Sequence, residues 1–418
     1  MKFVVFSLGC RVNIYEGQAM VKEFIARGHE ATDKLEKADC YVLNTCSVTA
    51  EADKKSRQAV ARALRINPNA KIAVCGCSSQ NDPAAYEKKA NVFKISGVGG
   101  KMSLVDEILT ALEKGETKEE TDVKPLPAEY EDDASGEVTK TRGYVKIQDG
   151  CNNFCSYCII PYLRGRSRSR KIESVIREAE EMAKKTNEIV ITGVDVSDYR
   201  DGENGLAELV RALGKIPVRK RFGSFDCIVV DENLLNAMKE SDFCESFHLS
   251  MQSGSDGVLR RMNRHYTSAE FLRVCELIRL VFPKAGITTD VIAGFPEETD
   301  EEFNETLETC RKAKFADMHV FPYSVRKGTV AAKMKQVGGE TIRHRAAKLR
   351  KLADELRAAH LEEKVGETVE VLFEDEENGL SVGYTRAYEK VYAAAPTGRI
   401  LKVKITSPFG EGLKGEVL

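Results

Sequence analysis

The sequence predicts a multidomain α/β protein: an N-terminal parallel sheet with covering helices, a central partial (β/α) barrel, and a small C-terminal all-β barrel. Three observations carry this. Strand and helix patterns alternate through the first hundred residues, they alternate again about six times between Tyr144 and Phe321, and Glu367–Leu418 holds short strands with glycine punctuation. A chain of 418 residues, 42% hydrophobic and 31% charged, has the length and composition of two or three globular domains.

In the first domain (1–114), strands are predicted at Phe3–Phe6, Cys40–Asn44 and Lys71–Cys75. Helices are predicted at Tyr15–Arg27, Glu51–Ile66 and Ser103–Glu113. From 115 to 141 the periodicity stops. Glu116, Glu119, Glu120, Asp122, Glu131, Asp132, Asp133 and Glu137 crowd this stretch with Pro125 and Pro127, which reads as an acidic interdomain linker. The second series (142–365) has strands at Tyr144–Gln148, Glu188–Thr192, Phe222–Phe225, Phe247–Met251, Ile287–Ala293 and Met318–Phe321. Helices Glu173–Lys185, Ala269–Val281 and Asp300–Ala313 fall between them, and a charged helix, Thr341–Lys364, follows. The last domain (366–418) has strands such as Thr368–Phe373 and Leu401–Ile405.

No apolar run is long enough to cross a bilayer, and MKFVVFSLGC is too short an apolar stretch for an export signal, so a cytoplasmic protein with no membrane partner is expected. A net charge of −2 gives no global attraction to nucleic acid; any such surface must be local.

The chain has 12 cysteines, and in a reducing compartment clustered cysteines read as metal ligands or catalytic groups. Cys151, Cys155 and Cys158 follow the first strand of the second domain and can wrap one small cluster from a single loop. Three thiolates on a four-iron cube leave one iron open to a substrate. The alternative, zinc, wants a fourth ligand, and none lies nearby. Cys10, Cys46 and Cys77 follow three successive strands, whose carboxyl ends share one edge of a parallel sheet. Residues 36 and 31 apart can therefore meet there as a second three-cysteine site, Gly9 and Gly76 allowing tight turns before two of them. The alternative is three unrelated core thiols. Cys40 and Cys75 lie within strands and read as core, although Cys75 is two residues from Cys77. No GxGxxG follows the first strand, which excludes a dinucleotide fold of that type.

The run Cys151-Asn-Asn-Phe-Cys155-Ser-Tyr157-Cys158 resembles the radical S-adenosylmethionine (SAM) superfamily. Ser7-Leu-Gly-Cys-Arg-Val-Asn13, Asn44-Thr-Cys-Ser-Val-Thr49, Asp53-Lys-Lys-Ser-Arg-Gln58, Arg164-Gly-Arg-Ser-Arg-Ser-Arg170, Gln252-Ser-Gly-Ser255, Thr289-Asp-Val-Ile-Ala-Gly-Phe-Pro296 and Phe321-Pro-Tyr-Ser324 extend the likeness to the methylthiotransferases. It covers essentially the whole chain, with a C-terminal segment similar to a TRAM domain. The resemblance implies two [4Fe–4S] clusters, on Cys10/Cys46/Cys77 and on Cys151/Cys155/Cys158, and two uses of SAM: one molecule methylates sulfur held at the N-terminal cluster, another supplies the radical. It implies SAM contacts at Tyr157, Gly193, Asp195, Ser224, Asp226, Gln252, Asp290 and Tyr323. Gly193-Val-Asp195 and Arg221-Phe-Gly-Ser-Phe-Asp226-Cys227 depart from the usual family pattern, which puts Asp195, Ser224 and Asp226 in doubt as SAM contacts.

LGCxVN followed by Glu16 looks like the type that acts on carbon 2 of N6-threonylcarbamoyladenosine beside the tRNA anticodon. The other branches act on isopentenyladenosine or on a ribosomal protein aspartate; a non-catalytic cluster-bearing RNA-binding protein is the reading from another class. Implied partners are the tRNA anticodon stem-loop, a reducing electron donor such as flavodoxin or ferredoxin, and a sulfur donor. Arg164, Arg166, Arg168, Arg170 and Lys171 read either as a phosphate grip or as partners of the acidic linker. Arg386, Lys390, Arg399, Lys402 and Lys404 with Tyr384, Tyr388 and Tyr392 suggest an RNA face, although the tyrosines fit a barrel core equally. His248 and His319 read as hydrogen-bonded structural residues.

Overall fold

The computed structural model describes residues 1–115, 120–132, 134–138 and 141–418. The first domain contains β1 Lys2–Ser7, α1 Arg11–Ala26, β2 Glu30–Thr32, β3 Cys40–Thr45, α2 Ala50–Ile66, β4 Lys71–Gly76, α3 Cys77–Asn81, β5 Val92–Ser96 and α4 Lys101–Glu113. With β6 Glu120–Asp122 they form a sheet ordered β2-β1-β3-β4-β5-β6 in which every pair is parallel. β3 is buried throughout, as a strand covered on both faces must be, and this is why it reads as a continuous apolar run. The strand order reverses between β1 and β3, and Cys10 and Cys46 follow those two strands.

The acidic stretch 115–141 is not a free spacer. Residues 116–119, 133 and 139–140 of it lie outside the described residues. The others add β6 to the N-terminal sheet and pack between the domains: Tyr130 Oη donates to the Lys146 carbonyl (2.9 Å), Lys22 Nζ donates to Ser135 Oγ (2.8 Å), and Asp132 pairs with Arg170.

The central domain runs β7 Arg142–Lys146, β8 Gln148–Asp149, α5 Ile160–Arg164, β9 Arg168–Ser169, α6 Ile172–Ala183, β10 Glu188–Thr192, α7 Leu206–Leu213, β11 Arg219–Phe222, β12 Ser224–Phe225, α8 Glu232–Glu240, β13 Ser246–Gln252, α9 Asp256–Arg261, α10 Ser268–Val281, β14 Gly286–Ala293, α11 Asp300–Ala313 and β15 Asp317–Pro322. Its parallel strands form two arcs, β11-β10-β7 and β12-β13-β14-β15, separated at Gly223: the open partial barrel the sequence predicts. α10 and α11 begin with reciprocal caps, Thr267 with Glu270 and Thr299 with Glu302, each cap contributing about 1 kcal/mol.

Strand alternation creates the site. Along β13, Phe247, Leu249 and Met251 join the core under the helices, so Ser246, His248, Ser250 and Gln252 line the lumen. On β14 the same alternation turns Thr288 and Asp290 inward.

α12 Gly339–Glu363 leads into the last domain, where β16 Thr368–Glu377, β17 Leu380–Thr385, β18 Lys390–Ala393, β19 Ile400–Phe409 and β20 Gly412–Val417 close a barrel ordered β16-β17-β18-β20-β19. This barrel docks on the central domain through the tyrosines expected to face RNA. Tyr384 and Tyr388 stack at 4.8 Å, Arg142 lies over both rings, and Arg221 lies over Tyr388. Arg386 pairs with Asp242. These three residues are interface, whereas Arg399, Lys402 and Lys404 are exposed.

Candidate active site between two three-thiol loops

The N-terminal loops are pinned by residues of the signature stretches. Asn13 Nδ2 donates to the Leu8 carbonyl (2.8 Å) and the Thr45 carbonyl (2.9 Å), joining the turns that carry Cys10 and Cys46. Ser56 Oγ accepts from Cys46 N (3.0 Å) and donates to its carbonyl (2.9 Å). Asp53 accepts from Ser47 and Ser78, the residues that follow Cys46 and Cys77. Gly9 has φ +92°, and a Cβ there would lie 2.3 Å from Cys46 Sγ, so the turn admits only glycine. Cys75 points the other way, into the core with Phe3, Val5 and Cys40, its Sγ donating to Asn44 Oδ1 at 3.8 Å.

The second loop is held from behind. Ser156 N donates to the Met262 carbonyl (2.9 Å), Asn263 Nδ2 donates to the carbonyls of Asn153 (2.9 Å) and Phe154 (3.2 Å), and Gln148 Nε2 donates to the Gly150 carbonyl (2.8 Å). Burial pushes the Cys158 thiol up to about 12, so loading a metal requires these thiols to lose their protons to it. All twelve cysteines are free. Two sets of three free thiols on glycine-bearing loops, neither with a fourth Cys or His ligand among the described residues, fit [4Fe–4S] clusters with one open iron each better than tetrahedral zinc.

The two loops are neighbours. Cys77 packs with Val98, Ile159 and Leu163, two of which belong to the chain just after Cys158. Arg164, at the end of α5, is buried and donates from Nε to Cys77 Sγ (3.3 Å), from Nη2 to Asn13 Oδ1 (2.8 Å), and from Nη1 to Glu16 (2.8 Å) and Asp149 (3.1 Å). Lys146 completes the network with Glu16 (3.1 Å) and Asp149 (2.6 Å). Burial opposes ionisation of Glu16, but Arg164 and Lys146 hold its carboxyl down at about 2; the same cations hold Asp149 well below its ordinary value.

Of the expected SAM contacts, two stand beside the second loop. Asp195 accepts from Cys151 Sγ (3.4 Å) and Asn153 Nδ2 (2.8 Å), and burial, with the Asp226 charge adding to it, pushes its carboxyl up. Asp226 accepts from Arg264 Nη2 (2.7 Å), and Arg264 Nη1 reaches Cys155 Sγ (3.6 Å). A Cβ on Gly193 would meet Gln148 Oε1 at 3.0 Å. Tyr157 and Tyr323 flank Phe295, with ring centroids at 6.4 and 5.6 Å, and the Tyr323 phenol is buried without a partner among the described residues. Gln252 has a left-handed backbone at an irregularity in β13, and Ser224 is exposed opposite His248. Asp290 lies with His248 (3.3 Å) and His319; donor atoms of these three lie within 4.8 Å of one another. As expected, His248 is hydrogen-bonded, to Thr288 (2.8 Å).

The basic run behaves mostly as partners of acids rather than as a phosphate grip. Arg164, Arg168 and Arg170 are buried, Arg170 on Glu178 and on Asp132 of the acidic stretch, and Arg166 lies over the Phe154 ring. Lys146 and Arg264 are site residues that the sequence pattern does not single out, and Arg164 reads there as a phosphate or linker contact rather than as the partner of Cys77 and Glu16.

The family described as "Radical SAM superfamily" matches residues 145–310, and "Uncharacterized protein family UPF0004" matches residues 2–97. The chain is 36% identical over its whole length to the threonylcarbamoyladenosine tRNA methylthiotransferase MtaB of Chlamydia pneumoniae, covering 98% of that protein. It is 36% identical to the protein of the same description from Bacillus subtilis, over 97% of this chain and 94% of that one. It is 33% identical to the tRNA-2-methylthio-N(6)-dimethylallyladenosine synthase of Geobacillus kaustophilus, over 100% of this chain and 82% of that one. Among solved structures, a radical SAM methyltransferase from Kitasatospora setae, TsrM, with cobalamin and a [4Fe–4S] cluster shares the fold at TM-score 0.58 and 15% identity, over 79% of this chain and 76% of that one. No helix among the described residues is long and apolar enough to cross a membrane. With two neighbouring three-thiol loops and full-length identity above 30%, the chain belongs to the radical SAM tRNA methylthiotransferase family.

Proposed function

We propose that this chain transfers a methylthio group to carbon 2 of N6-threonylcarbamoyladenosine beside the tRNA anticodon. The observation that carries the chemistry is the meeting of the two thiol loops at Arg164; the relatives named for threonylcarbamoyladenosine support the nucleoside. Cys151, Cys155 and Cys158 hold one [4Fe–4S] cluster, and Cys10, Cys46 and Cys77, rather than Cys75, hold the other. Bound together, the clusters and SAM supply a carbon radical and a methylated sulfur.

The chain's own groups do the rest. Asp195 and Asp226 hold SAM hydroxyls beside the second loop, Arg264 orienting Asp226. Tyr157 and Tyr323 wall the SAM site, Gly193 lets it approach the backbone, and Ser224, Gln252 and Asp290 line its lumen side. Domains 1–114, 142–365 and 366–418 divide the work, with 115–141 strapping the first to the second. The last is a TRAM-like RNA-binding barrel that presents Arg399, Lys402 and Lys404 to tRNA. The electron donor is a flavodoxin or ferredoxin, a separate donor supplies sulfur, and the setting is cytoplasmic.

The test is anaerobic reconstitution with iron counting and nucleoside mass spectrometry. Wild type holds about eight irons, four per cube. Cys10→Ala/Cys46→Ala/Cys77→Ala keeps about half and still cleaves SAM but makes no methylthio product, while Cys75→Ala keeps all. Product on isopentenyladenosine or on ribosomal protein alone would overturn the assignment of substrate.

A further inference from the structure

The residue after Cys10 is unexplained by the chemistry above. Arg11 opens α1, yet its half-buried side chain leaves the N-terminal domain and enters the barrel lumen. Its Nη1 would lie 3.1 Å from a Cβ on Gly223, where the two barrel arcs separate, so the bare glycine makes room for it. It shares a cavity of about 290 Å³ with His248, Thr288 and His319. Arg11 makes no hydrogen bond or ion pair with any described residue. Three carboxylates line that cavity and none pairs with Arg11: Asp317 is taken by Arg357 (3.1 Å), Glu389 by His360 (3.0 Å), and Glu411 is exposed at its edge. A guanidinium held in a polar cavity with no carboxylate paired to it is a carboxylate or phosphate receptor, its planar fork matching either bidentately.

We propose that Arg11 binds the threonyl carboxylate of the substrate nucleoside and so selects threonylcarbamoyladenosine over neutral N6-substituted adenosines. Carbon 2 and the N6 substituent lie on the same edge of adenine. A base presenting carbon 2 to the Cys10 loop therefore carries its N6 substituent alongside, within reach of the next residue's side chain. The polar wall of His248, Thr288 and His319 suits the hydroxyl and urea groups of that substituent. The isopentenyl group is apolar and would leave the Arg11 charge unpaired against a polar wall, a mismatch that penalises binding. The inference rests on the threonylcarbamoyladenosine reading.

The experiment crosses protein with substrate. Anticodon stem-loops carrying the threonylcarbamoyl acid, its methyl ester, or isopentenyladenosine are titrated against reconstituted wild type, Arg11→Gln and Arg11→Lys, reading Kd by anisotropy and then methylthio product. Iron content checks that the neighbouring Cys10 site survives. Wild type should bind the acid about 10- to 100-fold more tightly than the ester, the range of a charge-assisted hydrogen bond. Arg11→Gln should lose that discrimination with ester binding unchanged, and Arg11→Lys should keep part of it. Equal weakening of acid and ester would assign Arg11 to backbone phosphate and overturn the proposal, as would a wild type indifferent to esterification. That second comparison needs no variant. Failure of the underlying nucleoside assignment looks different: wild type then modifies the isopentenyl stem-loop and not the acid, whatever stands at position 11.

Discussion

Replacing Arg164 by methionine tests whether one side chain couples the two cysteine loops. Its guanidinium is buried against Glu16, Asp149, Asn13 and Cys77. Removing one member of a buried ionic network costs about 3–5 kcal/mol, mostly because the remaining charges stay buried and underpaired. Lys146 still neutralises one of the two carboxylates, so the lower end, about 3 kcal/mol, is expected. That free energy is a factor of about 100 in local opening. Amide exchange of the anaerobically handled protein, read by mass spectrometry, should speed up by about that factor in α1 and α5 and stay unchanged in the C-terminal barrel. Adding Glu16→Gln removes the orphaned carboxylate, so the double variant should exchange more slowly than Arg164→Met alone. Unchanged protection in α1 and α5, or simple addition of the two costs, refutes the coupling.

Two further outcomes follow from local geometry. Gly9→Ala places a methyl where Cys46 Sγ stands and strains a φ of +92°, so the variant should fold but lose about half its iron; full iron would show that the Cys10 turn is not a ligand loop. Glu389 ties the C-terminal barrel to α12 through His360 and Lys364; burial opposes its ionisation, but these partners lower its pKa from 4.5 to about 2. A depressed carboxyl contributes stability above its unfolded pKa and loses it as pH falls through the folded one. Glu389→Gln should therefore cost about 3 kcal/mol at pH 7, with the gap to wild type closing between about pH 5 and pH 2 in exchange protection of β17 and β18.

The strands that carry the cysteines were readable because a strand buried on both faces is a short apolar run ending at a polar turn, as in Cys40–Thr45. β5 hides because Lys94 sits buried in its middle, neutralised by Glu107 and Glu120, of which the second lies in the stretch that reads as linker. The arginine run is half legible for the same reason. Pairing with the acidic stretch is expected and Arg170 finds Asp132 there, but Glu16 at Arg164, Asp149 at Arg168 and Glu178 at Arg170 come from outside that stretch. Tyr384 and Tyr388 were legible as aromatic but not as interface, since only the docked barrel supplies Arg142 and Arg221. What local pattern conveys is which face of an element is apolar; which distant charge will meet a buried one is a property of the assembled fold.

Each thiol trio has one guanidinium on one sulfur, Arg164 at Cys77 and Arg264 at Cys155. Both also pair with carboxylates. Arg264 has Asp226; Arg164 shares Glu16 and Asp149 with Lys146, and Arg168 stands 3.9 Å from Asp149. The arginines therefore bring a directed N–H to each trio with their charge partly offset by those carboxylates. Such a donor fixes the position of one sulfur and withdraws some of its electron density, a modest upward influence on reduction potential. A lone cation would have raised it more. That places Arg164 and Arg264 as orienting groups, each acting on one sulfur of one trio.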